Sequence, residues 1–200
     1  MYAPPDSAAA LYILMKKTEK KKRRAYLSDF AKDSSGQYRY EGDVFTLDER
    51  SPFSRKGFIL RIALSLAAVV GSVLAEGLVP APGMDNSPIV LIPFALSLVA
   101  LLVLLWAEAG VLFAEYPMRK YKYDRHVKTL PARAIVFAAA ECVLIVCQTV
   151  HVAIYGAGGK EPAAVAFYFF CILGAAASLY AGHTAKSSLW VHVPKKSRID

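Results

Sequence analysis

Glu141, Gln148 and His151 interrupt a stretch, residues 132–155, that is otherwise apolar. An α-helix turns about 100° per residue. Glu141, Leu144, Gln148 and His151, at three- and four-residue steps, therefore share one face. A carboxyl, a carboxamide and an imidazole on one stripe can relay a proton, hold a small cation, or hydrogen-bond across to a neighbouring helix. Two other stretches carry matching stripes. Arg61, Ser65, Ser72 and Glu76 fall within a narrow arc, and Ser97, Glu108 and Glu115 align.

A charge facing hydrocarbon costs roughly 2.5–3.5 kcal/mol on insertion scales. All three stripes are therefore expected to face the inside of a helix bundle, with Arg61 able to snorkel to the surface. Arg61 and Glu108 come out at similar depth and are expected to pair. Glu141 falls near mid-depth, with no basic residue within two turns of its own helix. Desolvation there favours the neutral acid, a form suited to proton or cation exchange. Glu141, Gln148, His151, Arg61, Glu108, Ser72 and Glu76 thus carry two readings: hydrogen-bonded glue between helices, or a polar path centred on Glu141.

The elements that must position these residues are legible in the hydropathy. Of the 200 residues, 56% are hydrophobic, above the globular norm. The excess gathers into four blocks, 57–79, 89–116, 132–155 and 162–182. Each matches the stretch of about 20 apolar residues that crosses ~30 Å of hydrocarbon. Membrane barrel strands alternate polar and apolar residues, and "SLVALLVLLW" does not alternate. The expected fold class is an all-α integral membrane protein, a four-transmembrane-helix antiparallel bundle. The transmembrane domain is 57–183, preceded by a polar, basic segment 1–56 and followed by a tail, 184–200.

Helix punctuation agrees. Pro80, Pro82 and Gly83 end the first helix, Ser87–Pro88 reads as an N-cap with proline at the first helical position, and Pro131 and Pro162 fall in first turns. The second block is the longest and is expected to tilt or overrun the bilayer. Ala67, Gly71 and Ala75, and again Gly174, Ser178 and Gly182, repeat every four residues, a spacing that lets helix backbones approach closely. In the N-terminal segment, "SGQYRYEGDVFTLDE" offers two short strands around Gly42 that could close a β-hairpin. Such a hairpin is marginal in water unless it rests on something else.

Charge orients the bundle. The net charge is +8, and its distribution argues for a membrane rather than for nucleic acid. Twelve Lys and Arg precede the first helix, five lie between the second and third, and four follow the last; the two remaining loops hold only Lys160. The positive-inside rule places both termini in the cytoplasm, an N-in/C-in protein of the cell membrane, of the bacterial cytoplasmic type. Lys16, Lys17, Lys20, Lys21, Lys22, Arg23 and Arg24 form a run suited to anionic lipid head groups. No aromatic-interleaved or helix-turn-helix pattern accompanies it, so no nucleic-acid partner is expected. The apolar run "AAALYILM" precedes its basic residues, the reverse of a cleavable signal peptide. Cys142, Cys147 and Cys171 all fall within membrane blocks, which argues against a disulfide framework. Tyr116, Tyr121, Tyr123 and Trp190 are placed for an aromatic belt at the inner interface, and Tyr155 at the outer one.

Motifs for chemistry are absent. The chain has no Cys-x-x-Cys, no His-Glu-x-x-His, no Gly-x-Ser-x-Gly, no phosphate-cradling glycine loop and no acidic metal cluster. His151 and His183 belong to opposite helix ends, too far apart to bracket a haem. No cofactor, metal or catalytic residue is expected, and the chain reads as non-enzymatic. Small bacterial membrane proteins often share this architecture, which carries no function of its own. The first functional expectation is an accessory or scaffold subunit of a membrane complex, with a membrane-protein partner or further copies of itself. The alternatives are a small oligomeric transporter or channel with Glu141 in its path, and a membrane enzyme whose site follows no known motif.

Overall fold

The computed structural model describes residues 29–32 and 36–193. The seven basic residues from Lys16 to Arg24 expected at lipid head groups lie outside the described residues. Two compact units are distinguished: Phe45–Val191, and the segments up to Val44 together with those from His192 onward.

The larger unit is built on four helices, α1 (Arg55–Leu78), α2 (Pro88–Leu112), α3 (Leu130–Tyr155) and α4 (Glu161–Ser187). All four are long and apolar enough to cross a membrane. Their starts follow the local chemistry. The Ser54 hydroxyl accepts a hydrogen bond from the Gly57 N–H at 3.2 Å, satisfying one of the donors a helix leaves unpaired at its first turn. Ser87 occupies the N-cap of α2 without making that side-chain bond, and Pro88 takes the first helical position. Pro131 and Pro162 lie in the first turns of α3 and α4. The expectation that the second helix is the longest is corrected: α2 stops at Leu112 and α4 is longer. The rest of that apolar block is drawn into the base of the molecule, where the Tyr116 hydroxyl accepts the Leu47 N–H.

The helices form a closed ring in which α1 neighbours α4 and α2, and α3 neighbours α2 and α4. Contacts such as Ser65 with Ala177 and Ser178 with Ala134 show each neighbouring pair of that kind running antiparallel. The small-residue stripe of α4 makes the closest seam. A Cβ on Gly182 would sit 3.0 Å from the Ala134 Cβ and 3.2 Å from the Pro131 Cα, and one on Gly174 would sit 3.3 Å from the Ser72 Cβ. The stripe of α1 does the reverse. Ala67 and Gly71 are exposed, and nothing lies within 4 Å of a Cβ built on Gly71. The α1–α2 contact is the least extensive of the four.

At the end where the basic residues gather, a helical turn (Lys120–Lys122) runs into a π-helical turn (Tyr123–Val127) ahead of α3. The hairpin expectation is corrected there. The two predicted strands exist, but they do not pair with each other. In the smaller unit, β1 (Phe30–Lys32) and β2 (Tyr38–Tyr40) pair antiparallel with Phe30 opposite Tyr40, their rings edge to face at 5.4 Å. The second predicted strand, β3 (Val44–Leu47), is the centre of a three-stranded sheet between β4 (Met118–Arg119) and β5 (Trp190–Val193). A strand flanked on both edges has its backbone groups satisfied, which a two-stranded hairpin around Gly42 would not achieve. Among the aromatics expected as an interfacial belt, Trp190 meets Phe58 at 5.6 Å and Tyr123 at 5.4 Å, and Phe45 stacks on Tyr123 at 4.2 Å.

Candidate functional site

Glu141 points into the bundle, as its stripe requires: Glu141, Leu144, Gln148 and His151 are all buried members of α3. What meets it there comes from the three other helices. Glu76 of α1 and Cys171 of α4 each bring a ligand-capable atom close to the Glu141 carboxylate, all three atoms lying within 4.8 Å of one another. The Ser97 hydroxyl of α2 donates to Glu141 Oε1. Each helix thus contributes one polar side chain at one level, and all four side chains are fully buried. Among the described residues, both oxygens of Glu76 and Oε2 of Glu141 meet no oxygen or nitrogen partner, and the Cys171 thiol is the polar group beside them.

Apolar layers enclose this polar level on both sides. Toward the basic end the chain packs Val69, Val73, Leu101, Leu104 and Phe137. Toward the other end it packs Ala81, Val90, Leu144 and Phe167, with Cys171 at their edge. On each helix the polar residue falls at the seam between the two layers. A buried polar group left unpaired costs about 1–3 kcal/mol, and most native ones are satisfied. Two ionised carboxylates side by side away from water would cost far more. Charge balance therefore requires protons or a cation at this level.

Beyond it the polar stripe of α3 continues. Gln148 donates from Nε2 to the Pro82 carbonyl at 2.9 Å and keeps Oε1 unpaired. His151 packs against Gly83, whose backbone is left-handed at φ +81° and leaves no room for a side chain over the imidazole. His151 also lines a pocket of about 480 Å³ between the two short loops. Lys160 and Asp85 face each other across its rim at 3.3 Å. The pocket opens at the end away from the basic residues, and the Leu144–Phe167 layer separates it from the buried carboxylates.

The remaining candidates separate from this site. Ser72 donates to the Ala68 carbonyl of its own helix at 2.8 Å. Glu108 is fully buried nearer the basic end, with the Ser65 hydroxyl as its polar neighbour. The expected Arg61–Glu108 pair is not formed. Arg61 turns outward, donating to the Tyr180 hydroxyl at 2.9 Å and covering the Phe53 ring at 4.1 Å. A long side chain one turn from the end of its helix reaches the surface at less cost than it desolvates. Glu115 leaves the expected alignment too, lying exposed beyond the end of α2 in an ion pair with Arg119 at 3.1 Å.

Sequence reasoning missed Cys171 as a site residue and expected no metal-ligand set, because it looked for contiguous motifs. The available signal was that Cys171 continues the Gly174–Ser178–Gly182 face of α4 by one step of three residues. Comparison of the chain with known protein families, with curated proteins and with solved structures finds no match in any of the three.

Proposed function

We propose that the protein is a small multi-pass membrane transporter or channel, non-enzymatic, in which the carboxylate pair Glu76 and Glu141 takes up and releases a cation or proton. One observation carries this reading: ligand-capable groups from three helices converge on one fully buried spot, where two carboxyls have only the Ser97 hydroxyl and the Cys171 thiol beside them among the described residues. Side chains serving only as glue would satisfy one another. The Gln148–His151 stripe and its pocket lie beyond the Leu144–Phe167 layer, which must part for entry from that end, and Glu108 is a further acidic station toward the other.

In this reading the protein sits in the cell membrane, of the bacterial cytoplasmic type, with both termini and the loop between α2 and α3 cytoplasmic. The basic run from Lys16 to Arg24 rests on anionic lipid head groups. The asymmetry of Lys and Arg supports both statements.

Purified protein in liposomes, with a pH-sensitive dye inside and an imposed membrane potential, tests the function. Proton flux should appear with the wild type and fall at least tenfold with Glu141→Gln, which keeps size and hydrogen bonding. No flux, or flux indifferent to position 141, would end the transport reading. An accessory or scaffold role is the second reading, favoured by the exposed Ala67–Gly71 stripe, which fits a partner's membrane helix or a second copy. Gly71→Leu should then release a copurifying protein or shift the oligomeric state.

A further inference from the structure

We propose that Glu76, Glu141 and Cys171 bind a divalent transition-metal ion of borderline softness, represented by Zn²⁺, with Ser97 as the residue that holds Glu141 in position. This rests on the carboxylate-pair reading above and narrows its cation to a metal. The donor set is the argument. Hard cations such as Mg²⁺ and Ca²⁺ take oxygen ligands only, whereas a thiolate beside carboxylates selects the zinc-like ions. The three donor atoms lie within 4.8 Å of one another and come from α1, α3 and α4. Ligands about 2.0–2.3 Å from one tetrahedral ion stand about 3.3–3.8 Å apart, so the side chains would close in on the metal as it binds. Three protein ligands leave a fourth position open, the arrangement of sites that exchange a ligand.

Hydrogen bonding sorts the oxygens accordingly. Among the described residues, Ser97 engages Oε1 of Glu141, while Oε2 and both oxygens of Glu76 meet no oxygen or nitrogen partner. An outer-shell donor on one carboxylate oxygen with the other facing the ion is the usual support for a metal ligand. The other two cysteines do not compete: Cys142 is exposed on the far side of α3 and Cys147 is half-buried.

Charge conservation then couples the metal to protons. With both carboxyls and the thiol protonated the level is neutral. One divalent ion entering as two protons leave, one from the Cys171 thiol and one from a carboxyl, keeps it neutral. A low-dielectric interior between two apolar layers favours that balance.

The experiment uses the full-length protein in detergent, stripped with chelator and titrated with Co²⁺ as the spectroscopic substitute for Zn²⁺. One Co²⁺ should bind per chain, with a thiolate-to-cobalt charge-transfer band that Zn²⁺ abolishes by displacement. Cys171→Ser should remove the band, and Cys142→Ser with Cys147→Ser should keep it. Glu76→Gln and Glu141→Gln should each weaken binding at least tenfold. Ser97→Ala should weaken it about 10–100-fold with the band retained. The wild type alone is decisive if a variant fails to fold: no charge-transfer band in the folded protein overturns the proposal. A band that survives Cys171→Ser overturns it as well. Proton flux that depends on Glu141, without a cobalt band, would end the metal proposal and leave the carboxylate reading intact. A cobalt band without Glu141-dependent flux would leave a structural metal centre and end the transport reading.

Discussion

Gly110 shows how tightly single positions are determined near the basic end. A Cβ there would run into the His126 imidazole, which is buried with Nδ1 unpaired and has Trp106 as its neighbour at 6.4 Å. Glycine inside a helix costs about 1 kcal/mol relative to alanine, so the close approach of the ring is what that cost accompanies. Gly110→Ala should therefore destabilise by about 1–3 kcal/mol, as overpacking does, although propensity alone predicts the opposite sign. Adding His126→Ala should recover most of the loss, a coupling that separated positions would lack. Unfolding in detergent followed by circular dichroism reads both. A Gly110→Ala protein more stable than the wild type would show that the ring does not occupy that space.

Among the elements, α1 is the irregular one. At 1.5 Å per residue, α2, α3 and α4 run on from the buried polar level for about 13, 21 and 15 Å away from the basic end, while α1 runs about 3 Å past Glu76. Residues 79–87 cover the remaining height as irregular chain, with Ala81 and Pro82 buried. Backbone groups at that depth must be paired within the protein if the helices lie in lipid, and Gln148 pairs the Pro82 carbonyl. The residue that reads in sequence as a member of a polar path is thus also a support for a helix that stops early. Gln148→Leu should lower stability by about 1–3 kcal/mol through the orphaned carbonyl. Amide exchange should quicken in residues 79–87 while α3 and α4 stay protected. Unchanged exchange in that loop would remove Gln148 from this role.

For the whole molecule the decisive quantity is orientation. The basic residues gather at one end, and the pocket beside His151 opens at the other. In the proposed orientation, with both termini cytoplasmic, the opening would face outward and Glu108 would lie between the carboxylate pair and the cytoplasm. A cysteine introduced at Asn86 should react with an impermeant maleimide added to intact cells. One introduced at Lys122 should react only after the membrane is opened. Labelling of position 122 from outside would invert the direction in which the polar stripe leads.

The sequence by itself determined four apolar helices, their approximate bounds, and a polar face on three of them, because hydropathy and a 3.6-residue period are properties of one segment at a time. It also placed Glu141, Gln148 and His151 on one inward stripe. It located two strand segments of the N-terminal region but mispaired them, because Tyr38–Tyr40 turns back onto Phe30–Lys32 while Val44–Leu47 pairs with segments more than 60 residues away. Which polar residues meet was decided only by the tertiary structure. That depends on the height and rotation of each helix against its neighbours. Those are set by contacts such as Gly182 on Pro131 and Gly174 on Ser72, and by how far α1 extends before it breaks. The same packing turned Arg61 away from Glu108 and brought Glu76 and Cys171 to Glu141, a convergence that no spacing within a single segment encodes.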